Sequence, residues 1–274
     1  MKPAPLALAQ PEVLDEALTV LAEVGGDARV LAGGQSLIAM LNMRLLAPKV
    51  LVDINHLPTL KTIDERKDSL SVGAAVTQER LLHWTNLSSA TPLLAHALPF
   101  VGHYQTRSRG TVCGSLVHAD PSAELPLVLA LLDGEMELAS LRGRRRLKAG
   151  AFQTGTMSTA LHDDEMVLAA HFPKAVPGAV YRFDEVSERH GDFALAAFAV
   201  QAGAHTTRLG IGGAAATPQV FELPTRDAEL AARLNDIAWQ LECSSDIHAS
   251  VRYRRELVRR VGQRVIEDAW HALS

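Results

Sequence analysis

The apolar positions of this chain fall into short, punctuated runs whose period changes along its length. In PEVLDEALTVLAEV (11–24) they recur at helical spacing, with Pro11 early in the segment and Gly25-Gly26 closing it, so a helix is predicted. ARVLA (28–32) then predicts a buried strand, SLIAMLNMRLL (36–46) a helix and KVLVDI (49–54) a second strand after Pro48. The first sixty residues therefore read as an α/β unit. From residue 68 onward SLSVGAAV predicts a strand, TQERLLHW a helix with Thr77 as its N-cap, and a further helical stretch spans 91–101. RSRGTVCGSL (107–116) reads as a glycine-containing loop, PSAELPLVLALL (121–132) as a helix despite Pro126, and EMELASLRGRRRLKAG (135–150) as a hairpin turning at Gly143.

FPKAVPG (172–178) has the Pro and Gly content of a boundary, and beyond it the period becomes β-like in AVYRFDEVS, FALAAFAVQAGA and TTRLGIGGAA. Two helical stretches, 226–241 and 246–273, end the chain, the second with apolar positions 251, 257, 258, 261, 265 and 269 on one side. No internal repeat or low-complexity tract is visible.

Composition narrows the function classes. The chain has 274 residues, 47% hydrophobic and 21% charged, which suits a soluble globular protein with room for two packed domains, or three subdomains. A net charge of −4 leaves no excess of Lys and Arg to displace counterions from a phosphate backbone, so nucleic acid is not the expected partner. The run Arg142, Arg144, Arg145 and Arg146 reads as a solvated turn. Two cysteines, Cys113 and Cys243, are too few for a disulfide framework or an iron–sulfur ligand set, and a reducing cytoplasm is the expected home. The first residues, MKPAPLALAQPEVLDEAL, resemble neither a signal peptide nor a spanning helix.

The candidate chemistry lies in glycines. In VLAGGQSLIAML (30–41) an apolar run breaks at Gly33-Gly34 and resumes as a helix; such a turn either aims unpaired N–H groups at an anion or is merely a tight strand-to-helix connection. RGTVCGS (109–115) places Gly110 and Gly114 beside Thr111 and Ser115, suited to holding a diphosphate from the other side. Neither is a P-loop, since no Lys follows, and GIGGAA (210–215) lacks the helix that a Rossmann turn requires.

Five segments in order, AGGQSLIAMLNMRLLAPKVLVDIN, LSVGAAVTQERL, VGHYQTRSRGTVCGSLVHADPSAELP, RHGDFALAAFAV and SDIHASVRYRRELVRR, resemble the FAD-binding medium subunits of molybdenum hydroxylases, the group of carbon monoxide dehydrogenase, xanthine dehydrogenase and the quinoline and nicotine hydroxylases. The resemblance spans essentially the whole chain. It implies an α+β fold of the vanillyl-alcohol-oxidase (PCMH) type: two α/β flavin-binding subdomains, 1–60 and 61–175, then a C-terminal domain, 176–274, with a three-stranded sheet and helices. It further implies that Ala32, Gly33, Gly34, Gln35, Ser36 and Leu37 form one diphosphate turn and Thr111, Val112, Cys113, Gly114 and Ser115 the other. By the same resemblance Glu124 bonds ribityl or ribose hydroxyls, and Asp192 and Phe193 approach the flavin ring. Glu124 also reads as a helix-dipole acid, and Phe193 as a core aromatic. Cys113 and Ser115 depart from the usual T-I-G-G-N, and Phe183-Asp184-Glu185 lacks the basic residue of the xanthine enzymes.

The expected cofactor is noncovalent FAD, and the expected partners are a molybdopterin large subunit and a [2Fe–2S] small subunit in a doubled heterotrimer, with no nucleic acid and no membrane insertion. Electrons would pass from the iron–sulfur subunit through FAD to an external acceptor, with hydroxylation of an N-heteroaromatic or related small molecule on another chain. Alternative readings are a self-contained flavin oxidoreductase using His103 or His190 as a base, a non-redox nucleotide module, a metal site on Cys113, His118 and Asp120, and a nucleophile set of Ser115, His118 and Asp120.

Overall fold

The computed structural model describes residues 2–273. Its first part is a parallel three-stranded sheet, in the order β1-β3-β2, of β1 (Ala7–Ala9), β2 (Ala28–Leu31) and β3 (Val50–Asp53). Helices α1 (Leu14–Val24) and α2 (Leu37–Asn42) connect the strands. Parallel neighbours need a crossover, and these helices supply it. α1 buries Ala17, Leu18 and Leu21 on one face and stops where Gly25 takes φ +59°, a left-handed value that glycine adopts at little steric cost. α2 is shorter than its sequence pattern suggested, since residues 43–46 leave the helix.

The second part is a five-stranded sheet built on antiparallel pairs throughout, in the order β4-β5-β10-β6-β7. Its elements in chain order are β4 (Ile63–Glu65), β5 (Ser69–Gly73), α3 (Gln78–Leu82), α4 (Leu87–Ala90), α5 (Pro92–Ala97), α6 (Tyr104–Arg107), α7 (Val112–His118), α8 (Glu124–Leu131), β6 (Glu135–Ser140), β7 (Gly143–Lys148), α9 (Ala149–Phe152), β8 (Gln153–Gly155), β9 (Ser158–Thr159) and β10 (Met166–Pro173). Thr77 caps α3 as expected, its hydroxyl accepting from Arg80 N at 3.2 Å. Pro126 sits in the first turn of α8, where a missing N–H breaks no intrahelical bond. Seven of the eight residues of α8 are buried, as a helix that is apolar all round should be.

The predicted hairpin is β6-β7, closed between Ser140 and Gly143. Its arginines are paired rather than simply solvated: Arg142 with Asp164, Arg144 with Glu137, Arg145 with Glu165 and Arg146 with Glu137 and Glu135.

The third part is an antiparallel sheet, β11 (Val180–Val186), β12 (Ala196–Ala202), β13 (Thr206–Gly212) and β14 (Gln219–Pro224), backed by α10 (Leu230–Gln240) and α11 (Val251–His271). It has four strands, where the resemblance implied three: Thr206–Ile211 pair with Gln219–Pro224 through the turn that holds Gly213 at φ +73°. α11 is capped by Ser250 and buries Leu257, Val258, Val265, Ile266 and Ala269 against this sheet. Buried Arg254 ties its first turn to Asp246 and to the Gly213 carbonyl, and Trp270 Nε1 donates to Thr207 Oγ1 at 2.7 Å. α8 packs on the opposite face, where Gly210 and Gly212 leave space for Leu127.

Candidate cofactor site

The first glycine turn leaves the C-terminal end of β2 and enters α2. Gly34 has φ +72°, and a Cβ there would come within 3.1 Å of Ile38 and 3.2 Å of Leu31. Among the described residues no group accepts a hydrogen bond from the N–H groups of Gly33, Gly34, Gln35, Ser36 or Leu37, while the carbonyls of Gly34 and Ser36 are taken by Ile38 and Met40 N–H. Asn55 steadies the entry to the turn, donating from Nδ2 to the Ala32 carbonyl at 2.8 Å and to Asp53 Oδ1 at 2.7 Å. Neither Asp53 nor Asn55 was singled out in the sequence. The signal was the polar pair that ends the apolar strand β3.

The second turn is anchored to β5 and α3 by an isolated bridge between Thr77 and Thr111, with Gln78 N donating to the Gly110 carbonyl and Val112 N to that of Val76. The expected loop is shorter than its glycines suggested: Val112–His118 is helix α7, so Val112, Cys113, Gly114 and Ser115 are its first turn. Thr111 is the N-cap, its Oγ1 accepting from Gly114 N at 3.0 Å. A Cβ at Gly114 would stand 2.7 Å from that oxygen, so a side chain at 114 would have to displace the Thr111 hydroxyl. Cys113, the departure from the family pattern, faces inward: its Sγ donates to the Val72 carbonyl, and burial pushes the thiol pKa up to about 12. It leaves the outer side of the turn unobstructed.

The two turns are in direct contact. A Cβ on Gly33 would stand 2.2 Å from the Arg109 carbonyl oxygen and 2.7 Å from Gly110 Cα. The strand-to-helix turn of the first part and the cap of α7 thus form one surface, along which the unpaired N–H groups of 33–37 concentrate positive potential. The preceding residues are held by Arg107, which pairs with Glu79 at 2.9 Å and donates to the carbonyls of Val101 and Gly102 at 3.2 Å.

From the third part, the β11-β12 hairpin loop reaches this neighbourhood. Gly191, at φ +85°, packs so closely on His103 that a Cβ would meet its Cε1 at 2.8 Å, and the rings of His103 and His190 lie 6.1 Å apart. Asp192 and Phe193 follow on that loop. Phe193 is 60% exposed, which rules out the core reading of this aromatic. Among the described residues no hydrogen bond joins either to the glycine turns.

Glu124 begins α8 and is only 5% exposed. Burial, opposed by its own backbone N–H and reinforced by the charge of Asp120, raises its pKa to about 7. Glu185 on β11 is raised to about 8 by burial and by the charges of Glu124 and Asp184. The helix-dipole reading of Glu124 would favour an ordinary carboxylate, and burial overrides it. In the sequence Glu185 stands out only as an acid in a segment where the xanthine enzymes carry a base.

Among the described residues no hydrogen bond joins Ser115, His118 and Asp120. Cys113 is turned into the core, and Asp120 Oδ1 accepts from Ser122 N in a local turn. Among the described residues no group of three or more His, Cys, Asp or Glu side chains gathers to hold a metal. No helix among the described residues is long and apolar enough to cross a membrane. GIGGAA runs from β13 into its turn, without the helix of a dinucleotide fingerprint.

Comparison with known proteins agrees with this geometry. The family model described as the FAD binding domain in molybdopterin dehydrogenase matches residues 4–175. The chain is 33% identical over 285 residues to the 6-hydroxypseudooxynicotine dehydrogenase complex subunit alpha of Paenarthrobacter nicotinovorans, covering 99% of this chain and 96% of the relative. To the nicotine 6-hydroxylase medium subunit of the same organism it is 33% identical, covering 98% and 99%. Among solved structures it superposes on quinoline 2-oxidoreductase from Pseudomonas putida 86 with a TM-score of 0.93 and 34% identity, covering 100% of this chain and 99% of that one. With the two glycine turns packed together inside the matched region, the chain belongs to the FAD-binding medium subunits of the molybdenum hydroxylases, a family of oxidoreductase complexes.

Proposed function

We propose that this chain is the electron-transfer subunit of a heterotrimeric molybdenum hydroxylase, joined to a molybdopterin large subunit and a [2Fe–2S] small subunit in a doubled assembly, that oxidises an N-heteroaromatic or related small molecule. The observation that carries the reading is the contact of Gly33 with Arg109 and Gly110, which sets against the second turn a segment, 33–37, whose N–H groups find no acceptor among the described residues. Ala32 through Leu37 hold one side of the diphosphate of a noncovalent FAD, and Thr111 through Ser115 the other, with the hydroxyl of Ser115 facing no acceptor of its own among the described residues. Glu124 accepts hydrogen bonds from the polyol, and Asp192 and Phe193 cover the ring. Bound there, the flavin passes electrons arriving from the iron–sulfur subunit to an external acceptor. The chain's own task is to place the ring, exclude water from one side and set its potential by burial and hydrogen bonds.

The relatives support the substrate class by their names, nicotine 6-hydroxylase and quinoline 2-oxidoreductase among them. The same reading divides the chain at 60 and 175, each part carrying a main sheet of its own. Purification with the native partners, a visible spectrum, and identification of the cofactor released by acid test it. FAD in the supernatant is the expected result. Yellow colour left in the pellet would contradict noncovalent binding, and a colourless complex would contradict the function.

A further inference from the structure

Two carboxyl groups lie on the same side of the sheet where the second and third parts join. Glu185 pairs across the sheet with Ala197, and Ala197 with Gly212. Residues directly opposite in an antiparallel sheet share a face. The position of that face is known, because a Cβ at Gly212 would stand 3.3 Å from Leu127 and 3.6 Å from the Pro121 carbonyl: it is the face against the first turn of α8. Glu185 therefore projects to the side where α8 begins with Glu124, and the small residues Ala197 and Gly212 between them let the helix approach. Asp184 projects to the other side, where Arg264 of α11 pairs with it.

Neither carboxyl is neutralised. Glu185 Oε2 is buried with no hydrogen-bond partner, and the only group that donates to the Glu124 side chain among the described residues is its own backbone N–H. The charged groups acting on the two are acidic: Asp184 on the strand of Glu185, and Asp120 before α8. β12 carries no titratable side chain, and His96 of α5 is acted on by burial, the charge of Arg182 and the Tyr181 carbonyl, not by either carboxyl. With Glu124 buried, Glu185 half-buried with one oxygen fully covered, and no cation beside either, the two are disfavoured from ionising together.

We propose that Glu124 and Glu185 act as one proton-sharing carboxyl pair, and that Glu185 is a second ligand for the polyol hydroxyls of the bound flavin nucleotide. This rests on the FAD reading given above. Glu185 holds the shared proton and donates it toward Glu124, which leaves oxygens on both groups free to accept from neighbouring hydroxyls of the sugar chain. The pair thereby also couples the third part of the chain to cofactor binding, since its members come from α8 and β11.

The test uses the purified complex, with FAD retention measured by equilibrium dialysis from about pH 6 to about pH 9. In the wild type affinity falls about tenfold or more as the pair loses its proton, tenfold corresponding to one pKa unit. Glu185→Gln keeps a donor in place and removes the charge; it binds FAD with less than about twofold change over the same range. A Glu185→Gln complex with the wild-type slope overturns the pair while leaving the FAD reading intact, and a complex that holds no FAD at any pH overturns both. An infrared carbonyl band of a protonated carboxylic acid at neutral pH, perturbed when FAD is removed, checks the wild type even if the variant does not fold. Its absence overturns the proposal.

Discussion

Gly33 and Arg109, 76 positions apart in the sequence, are packed so tightly that a methyl group on the first would sit 2.2 Å from the carbonyl oxygen of the second. No side chain can be pushed aside to relieve this, because the obstacle is backbone. Gly33→Ala must therefore separate the turns. The expected outcome is loss of FAD from the purified complex and a stability decrease of about 1–3 kcal/mol, read from released flavin and denaturant unfolding.

Thr111 carries the cap of α7. Thr111→Val should lower stability by about 1 kcal/mol and weaken FAD retention, whereas Thr111→Ser, which keeps the hydroxyl, should restore both. Equal behaviour of the two variants would show that the bond to Gly114 N contributes nothing.

Phe193 separates a packing role from a ligand role. Being mostly exposed, it should tolerate Phe193→Ala with a stability change within about 0.5 kcal/mol. The visible spectrum or midpoint potential of the bound flavin should shift all the same. A large loss of stability with an unchanged flavin would reverse the assignment.

The acid limb of the stability curve should depend on Glu165. Burial works against its ionisation, but hydrogen bonds from Arg145 and the His162 backbone, with the charge of Arg145, outweigh it and hold the pKa below the ordinary 4.5. A depressed carboxylate contributes stability that is present above the unfolded value and lost as pH falls through the folded one. Glu165→Gln should cost about 1–2 kcal/mol at pH 7, less than a fully buried pair because Arg145 is partly solvated, and the difference should shrink as the pH drops below 4. A difference independent of pH would show that packing, not charge, is responsible.

Thiol labelling offers an independent check of the inward-facing Cys113. In the native chain Cys243, which is partly accessible, should react with a neutral thiol reagent, while Cys113 should react only on unfolding. Modification of both at one rate would mean that α7 does not present its first turn as described.

How much of this was legible in the sequence depended on whether the signal was local. Thr77 as a cap, the β6-β7 hairpin, and the helices of the third part were readable because each rests on residues a few positions apart. β14 was not, since QVFELP is short and only mildly alternating and is a strand by virtue of its partner β13. α7 reads as loop in the sequence because its two glycines are standard breakers, although one of them lies close beneath the Thr111 hydroxyl and the other precedes the helix. In the site the same division holds: glycine turns advertise themselves, but the partners that steady them, Asn55, Glu79 and Arg107, are ordinary polar residues until the fold brings them close. Glu185 is invisible in the sequence as a carboxyl of interest because the charge that acts on it from Glu124 lies on α8, some sixty residues earlier.

The arginine ladder of β7 has a meaning beyond its ion pairs. β7 is the outermost strand of the five-stranded sheet, where unsatisfied backbone groups would otherwise invite a strand from a second copy to dock. Arg144, Arg145 and Arg146, locked by Glu137, Glu135 and Glu165, make such a docking strand face a row of guanidinium groups already held in place. That border is thereby an unfavourable dock for a strand of a second copy.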